Sequence, residues 1–206
     1  ATSVMVTTPH WPAHSARAKA IRAHCAVGLH FNLTLGAPLG RMPRLAPSGH
    51  LPSAGELTRR ALSGDIDAGE IADEITRQIA AFSDAVGHPP DHVDGHQHVH
   101  ALPRVREGVL AALPVLAATR PLIRDPADRL SAIAARRTAV PKATALAWLS
   151  RGFGRAVRGA GFPTNDSFAG VTDFATRGSP VAGELARATR AAGRLHVVMC
   201  HPGFPN

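Results

Sequence analysis

Short β-rich segments alternate with amphipathic helical segments along this chain, and this alternation most restricts how it can fold. Helical spacing is clearest over residues 67–86, where apolar residues lie four, four and three positions apart on one face: Ile71, Ile75, Ile79 and Phe82. A capping box, Ser53 to Glu56, predicts the start of a shorter helix just upstream. Strands that alternate with helices are typical of a parallel sheet or an α/β barrel. We therefore expect one α/β domain over residues 1–206.

The other predicted elements complete this pattern. Strands are expected at residues 3–6, 27–33, 92–94, 122–124 and 195–200, with a loop or strand at 168–174. Helices are expected at residues 12–24, 103–113, 127–137, 142–160 and 181–192. The segment 195–200 is continuously apolar, which predicts a strand buried on both faces. Residues 34–52 are rich in Gly and Pro and predict a long loop, which in a compact domain typically serves as a lid or binding loop.

Histidines are concentrated in one stretch. Five of the twelve fall within thirteen residues: His88, His92, His96, His98 and His100. Imidazole is a common ligand of catalytic divalent metals and titrates near neutral pH. If the strand continues past Asp94, then Asp94, His96 and His98 share one face; if the chain turns after Gly95, they crowd a loop mouth instead. A solvated polar loop and a metal-scavenging tract are the alternatives.

Polar, metal-capable side chains lie at or near the carboxyl ends of three predicted strands. His30 belongs to the strand near residue 30, Asp94 and His96 to the next, and His201 follows the last. In parallel α/β folds the chemistry gathers at this edge of the sheet. Taken singly, His30 would be typical of a core histidine and His201 of a turn residue. Together they predict a functional site at one rim.

Composition narrows the classes of partner. The net charge of +8 is compatible with an anionic partner, and residues 131–160 are the most basic section, which indicates either an anionic-surface contact or a solvated helix face. Tyr is absent and aromatic residues make up 4%, so stacking platforms are scarce and we expect no nucleic-acid partner. No apolar run approaches the roughly 20 residues of a transmembrane helix, and no signal-peptide pattern is present. We therefore expect a cytoplasmic protein without a transmembrane segment.

Three motifs in this order, GLHFNLTLGAPL, HVDGHQHVHALP and VMCHPGF, resemble the YdjC-type carbohydrate deacetylase family, which includes the chitooligosaccharide deacetylases. SVMV and the segment after it are similar to that family's second strand and following helix, and TNDSFAG is similar to the hopanoid-biosynthesis-associated branch. The resemblance implies an irregular (β/α) barrel of the glycoside hydrolase/deacetylase type and one divalent metal ion, Mg or Zn. It also implies removal of the N-acetyl group from an acetylated amino sugar, either a chitooligosaccharide or an N-acetylglucosaminyl lipid.

The resemblance assigns the metal ligands to His30 and His96. The family's remaining ligand comes from an Asp-Asp-Phe-Gly motif on the first strand, and this sequence contains no such motif. We therefore expect the first strand of the barrel to be missing from this chain, by truncation rather than by natural loss, because a barrel without it would leave an exposed sheet edge. A natural loss would predict weak or absent activity.

The remaining predicted roles follow from amide hydrolysis. The amine leaving group needs a proton, and His201 is the predicted acid. Asp94 is predicted to act in catalysis by orienting a ligating imidazole. Predicted substrate contacts are Asn32, His98 and His100, with residues 34–52 as a sugar-binding lid. The partner is then a small carbohydrate or glycolipid, and the chain is a possible homodimer. The alternatives are a metal-dependent phosphoesterase and a catalytically inactive sugar-binding relative.

Overall fold

A computed structural model describes residues 1–172 and 181–201. The strands in these ranges are β1 Thr2–Val4, β2 Val27–Phe31, β3 His92–Gly95, β4 Leu122–Ile123, β5 Ser167–Ala169 and β6 His196–Val198. The helices are α1 Trp11–Ile21, α2 Ala54–Ser63, α3 Ala68–Val86, α4 Val105–Ala112, α5 Leu130–Arg136, α6 Val140–Leu149, α7 Phe153–Gly159 and α8 Val181–Ala188. Two 3₁₀ segments, His96–Ala101 and Leu113–Leu116, complete the regular structure.

Every strand pairing among the described residues is parallel. The first four strands form one sheet in chain order, β1-β2-β3-β4, and β5 pairs with β6 in a second sheet. Since parallel neighbours run the same way, the carboxyl ends of β2 and β3 meet at one edge, where His30 is the register partner of Asp94. The parallel α/β fold predicted from the sequence is therefore confirmed.

Helix α3 is the main helical support of this sheet, and local chemistry defines both of its ends. The Asp67 carboxylate caps the first turn by accepting from the N–H groups of Gly69 and Glu70. Gly87 ends the helix in the left-handed conformation at φ 79°. The predicted apolar face is buried in the core at Ile71, Ile75, Ile79 and Phe82. This helix packs on α4, on α1 and on β2.

The Asn165 side chain links the segment before β5 to the end of β4. The Asn165 amide accepts from the Asp125 N–H through Oδ1 at 2.8 Å and donates from Nδ2 to the Asp125 carbonyl at 2.8 Å. These two bonds, together with the Ile123 N–H donated to the Pro163 carbonyl at 2.9 Å, connect the end of β4 to the segment that leads into β5. Asn165 therefore places β5 next to the first sheet, and it brings Phe168 close to the carboxyl ends of β3 and β4.

The structure corrects two predicted elements. Residues 142–160 do not form one helix, because Gly152 adopts φ 84° and separates α6 from α7. The strand at 195–200 is shorter than predicted, and its residues are half-buried rather than buried on both faces. The predicted segment 168–174 forms β5 in part, and residues 173 and 174 lie outside the described residues.

The barrel predicted from the family resemblance stays a prediction. Within residues 1–172 and 181–201 the strands follow one another in chain order, as barrel strands do, in two hydrogen-bonded groups.

Candidate functional site

The site is built around a hydrogen bond between adjacent strands. His30 on β2 and Asp94 on β3 are register partners, and His30 Nδ1 lies 2.6 Å from Asp94 Oδ1. An ionised carboxylate is only an acceptor, so the His30 proton is on Nδ1 and the lone pair on Nε2 faces away from Asp94. The pair therefore fixes both the ring orientation and the tautomer of His30.

Asp94 is almost completely buried and is held by three groups. Its second oxygen, Oδ2, accepts from Ser3 Oγ at 3.2 Å and from Arg124 Nη1 at 2.8 Å. Burial by itself would raise the pKa of Asp94, but the His30 hydrogen bond and the Arg124 charge outweigh it and hold the pKa well below its ordinary value. Asp94 is therefore an ionised acceptor at neutral pH, suited to orienting an imidazole.

The histidine stretch turns instead of continuing as a strand. β3 ends at Gly95, and Gln97 and His98 adopt left-handed backbone conformations at φ 51° and 61°. Such conformations cost non-glycine residues roughly 1–2 kcal/mol each. The turn brings the His96 ring to 5.4 Å from the His30 ring, centroid to centroid. The sequence left two arrangements open. The structure shows the one in which the chain turns after Gly95 and the side chains crowd together in a loop.

His96 is also close enough to His201 to be affected by its charge. Burial lowers the pKa of His96, and the positive charges that His30 and His201 can carry lower it further. His201 therefore lies within electrostatic range of His96, as expected for a residue just beyond β6. A lowered pKa keeps His96 neutral near pH 7, the form in which an imidazole can accept a proton or bind a cation.

Behind this rim lies a buried arginine. Arg124, just after β4, donates from Nη2 to the Gly95 carbonyl at 2.9 Å, and the same nitrogen lies 3.3 Å from His98 Nδ1. Its guanidinium carbon lies 5.6 Å from the centre of the Phe168 ring, which also contacts His98 edge-on. Burial and the Arg124 charge keep the pKa of His98 well below its ordinary value. His98 is thus a neutral imidazole at the site.

Two predicted substrate contacts are instead buried inside the protein. His100 is 0% exposed, and its Nε2 donates to the Arg124 carbonyl at 2.7 Å. Asn32 is also 0% exposed; its Nδ2 donates to Thr7 Oγ1 and to the Leu35 carbonyl, both at 2.7 Å. In these positions His100 holds the Arg124 backbone, and Asn32 holds the first residues of the long loop.

The long loop at residues 34–52 is confirmed, and α3 holds it in place. The buried Glu74 carboxylate accepts from the N–H groups of Leu39 and Gly40, and Glu70 accepts from those of Arg44 and Leu45. A cleft of about 470 Å³ opens within the loop, and its lining includes none of the predicted catalytic residues. The loop contacts the histidine turn where Thr34 Oγ1 donates to Gln97 Oε1 at 2.7 Å.

The donor set fits part of a divalent metal site. A histidine whose Nδ1 donates to a carboxylate presents Nε2 outward, which is the usual arrangement of a metal-binding histidine, and His96 adds a second neutral imidazole. A catalytic zinc ion usually has three protein ligands. Over residues 1–172 and 181–201, no group of three or more His, Cys, Asp or Glu side chains is arranged to hold a metal.

Sequence reasoning missed Arg124 and Ser3. Arg124 directly follows the short β4, and an arginine at the end of a predicted strand is a signal that could have identified it. Ser3 carries no comparable signal, since its role depends on β1 lying beside β2.

Fold and site together define an α/β protein whose histidines and carboxylate gather at the carboxyl ends of neighbouring parallel strands. A family model described as YdjC-like protein matches residues 1–206, and the chain belongs to this family.

Named relatives match shorter stretches. The chain is 46% identical over 79 residues to a chitooligosaccharide deacetylase of Serratia marcescens, covering 38% of this chain and 31% of that protein. It is 42% identical over 96 residues to a chitooligosaccharide deacetylase of Yersinia pestis (strain Pestoides F), covering 45% of this chain and 36% of that protein. Each match therefore spans about a third of the relative's length.

A solved structure has a similar fold. The crystal structure of a protein from Enterococcus faecalis V583, provisionally described as a cellobiose-phosphate cleavage protein, superposes with a TM-score of 0.68. The two sequences are 16% identical, and the superposition covers 99% of this chain and 71% of that one. Separately, no helix in the described part of the chain has the length and apolar character needed to cross a bilayer.

Proposed function

We propose that this protein is a hydrolase that removes the acetyl group from an N-acetylated amino sugar, with chitooligosaccharides or N-acetylglucosaminyl lipids as substrates. The observation that carries the proposal is the His30–Asp94 hydrogen bond of 2.6 Å with the His96 ring beside it. The names of the two bacterial relatives favour the same reaction.

The proposal includes one divalent cation, Mg or Zn, with His30 and His96 as two of its protein ligands. Such an ion would activate a water molecule and polarise the acetyl carbonyl. Asp94 fixes the His30 ring through Nδ1, and Arg124 and Ser3 in turn fix Asp94 through Oδ2. Loss of such a supporting carboxylate usually costs 10- to 100-fold in metal affinity or activity.

The other side chains have separate roles in this proposal. His201, within electrostatic range of His96, donates the proton that the departing amine requires. His98 is neutral and rigidly placed between Arg124 and Phe168, and it faces the sugar as a hydrogen-bonding group. The buried Asn32 supports the start of the long loop, and the buried His100 supports Arg124.

The test is acetate release from chitooligosaccharides and from an N-acetylglucosaminyl lipid, measured before and after chelation and after readdition of Mg or Zn. We expect activity to disappear on chelation, to return with the metal, and to fall at least 100-fold in His96→Ala. His24→Ala is the matched control, because His24 is exposed and lies away from the site.

Two results would contradict the proposal. One is hydrolysis of p-nitrophenyl phosphate without acetate release, which would indicate a phosphoesterase. The other is tight sugar binding without turnover in the metal-loaded protein, which would indicate an inactive relative.

A further inference from the structure

Helix α6 is apolar but not buried. Its sequence is VPKATALAWL, and none of its residues is buried. Pro141, Ala145 and Trp148 are exposed at spacings of four and three, so they form one face, and Trp148 is 65% exposed. A helix that is apolar on most sides is normally buried in a core or in a membrane. The exposed face of α6 is therefore a surface that a partner would cover.

The charge around this helix has one sign. Residues 129–165 contain seven basic residues and no Asp or Glu. Six of the seven are exposed: Arg129, Arg137, Lys142, Arg151, Arg155 and Arg158. Within residues 1–172 and 181–201, no ion pair involves the Arg137, Arg151 or Arg155 side chain. In that part of the chain, no carboxylate therefore neutralises these three arginines through an ion pair.

Helix α5 extends the same surface. It packs against α6 and exposes Leu130, which is 64% accessible to solvent, beside Arg129. We define the docking face by the exposed residues Arg129, Leu130, Pro141, Trp148, Arg151 and Arg155. It combines large apolar side chains with a rim of arginines.

We propose that this docking face binds the surface of a membrane rich in anionic lipids, with α6 lying in the plane of the interface. Acidic headgroups attract basic side chains, and each basic residue near such a surface strengthens binding about fivefold. Tryptophan sits preferentially at the boundary between headgroups and acyl chains. A nucleic acid would match the charge, but it gives no reason for the exposure of Leu130 and Trp148, whereas an interfacial helix uses both its apolar and its basic side chains. The proposal does not depend on the deacetylase proposal.

The experiment measures partition of the full chain onto vesicles of phosphatidylcholine with and without 30 mol% phosphatidylglycerol. We expect binding to the anionic vesicles, a blue shift of Trp148 fluorescence and quenching of that fluorescence by a brominated acyl chain. The other tryptophan, Trp11, stacks on Phe82 and serves as an internal reference.

Two variants separate the electrostatic contribution to vesicle binding from the apolar contribution. The Arg151→Glu/Arg155→Glu double variant should lower the partition coefficient at least tenfold, because two favourable charges become repulsive. Trp148→Ala should lower it by about tenfold and remove the acyl-chain quenching. Arg17→Glu and Leu62→Ala are the matched controls, since both residues are exposed on other helices, and they should bind as the parent does.

Failure to partition onto anionic vesicles at low salt would overturn the proposal. So would salt-sensitive binding that Trp148→Ala leaves unchanged, because the apolar contact would then be absent. Self-association through α6 without vesicle binding, detected by sedimentation, would replace the lipid surface with a second copy of the chain. Equal binding to nucleic acid with unchanged Trp148 emission would also overturn it.

Discussion

The buried His100 should make the protein sensitive to mild acid. Burial lowers its pKa to about 3, and the Arg124 charge acts in the same direction. The Nε2 proton is already donated to the Arg124 carbonyl, so a second proton would have to enter at Nδ1, which is buried without a hydrogen-bond partner. In the unfolded chain this histidine titrates near its ordinary value of about 6.5.

The size of the effect follows from proton linkage. Because the folded pKa is depressed, the unfolded state binds the extra proton more readily below about pH 6.5, and stability falls as the pH decreases. Between about pH 7.5 and about pH 5.5 the two pKa values give a loss of about 1.4 kcal/mol from His100 alone. Above about pH 6.5, neither the folded nor the unfolded state takes up the extra proton, so this loss of stability is absent there.

The assay is urea unfolding followed by circular dichroism at these two pH values. His100→Gln keeps an N–H near the Arg124 carbonyl and cannot titrate, so it should lose about 1.4 kcal/mol less stability than the parent on acidification. His98 and His92 also have lowered pKa values, but they contribute equally to both proteins and cancel in the comparison. His24→Gln is the control. Equal losses in the parent and in His100→Gln would refute the reasoning.

Three further predictions test other parts of the structure. Asp94→Asn removes the carboxylate acceptor that fixes His30, so the metal affinity measured by titration calorimetry should fall 10- to 100-fold. Asp65→Asn, at an exposed residue, is the control and should leave the metal affinity unchanged. Glu74→Ala leaves two loop N–H groups and Arg77 without their carboxylate partner. The free energy of unfolding should therefore fall by about 3–5 kcal/mol, and proteases should cut the loop faster. A loss below about 1 kcal/mol would contradict this prediction. Ala139→Gly relieves a left-handed residue at φ 42° before α6 and should stabilise the protein by about 1 kcal/mol, whereas Ala145→Gly within α6 should destabilise it by a similar amount.

Elements defined by local chemistry were predictable from the sequence. The four apolar positions of α3 are a local signal, and the observed helix lies where they predict it. The break between α6 and α7 was missed because Gly152 within a helical pattern indicates only a modest cost, not a turn. The half-burial of β6 was missed because it depends on what packs against the strand, and not on the strand's own sequence.

The site was predictable in outline only. Residues at strand ends identified His30, Asp94, His96 and His201 as neighbours, because parallel strands bring their carboxyl ends together. Sequence could not distinguish His98, which lies at the site, from His100, which lies beneath it, since that difference arises from two left-handed residues in the turn. The position of Arg124 at the end of a predicted strand was a usable signal, but its contact with Asp94 depends on β4 pairing with β3.

The left-handed pair Gln97–His98 also bears on how a ligand would be captured. Backbone strain of this kind persists only where surrounding contacts over-determine the conformation. The free energy of ordering the turn is therefore incurred when the chain folds, and binding does not have to supply it. A preorganised pair of imidazoles gains affinity from this rigidity, because little conformational freedom remains to be lost when a ligand is captured.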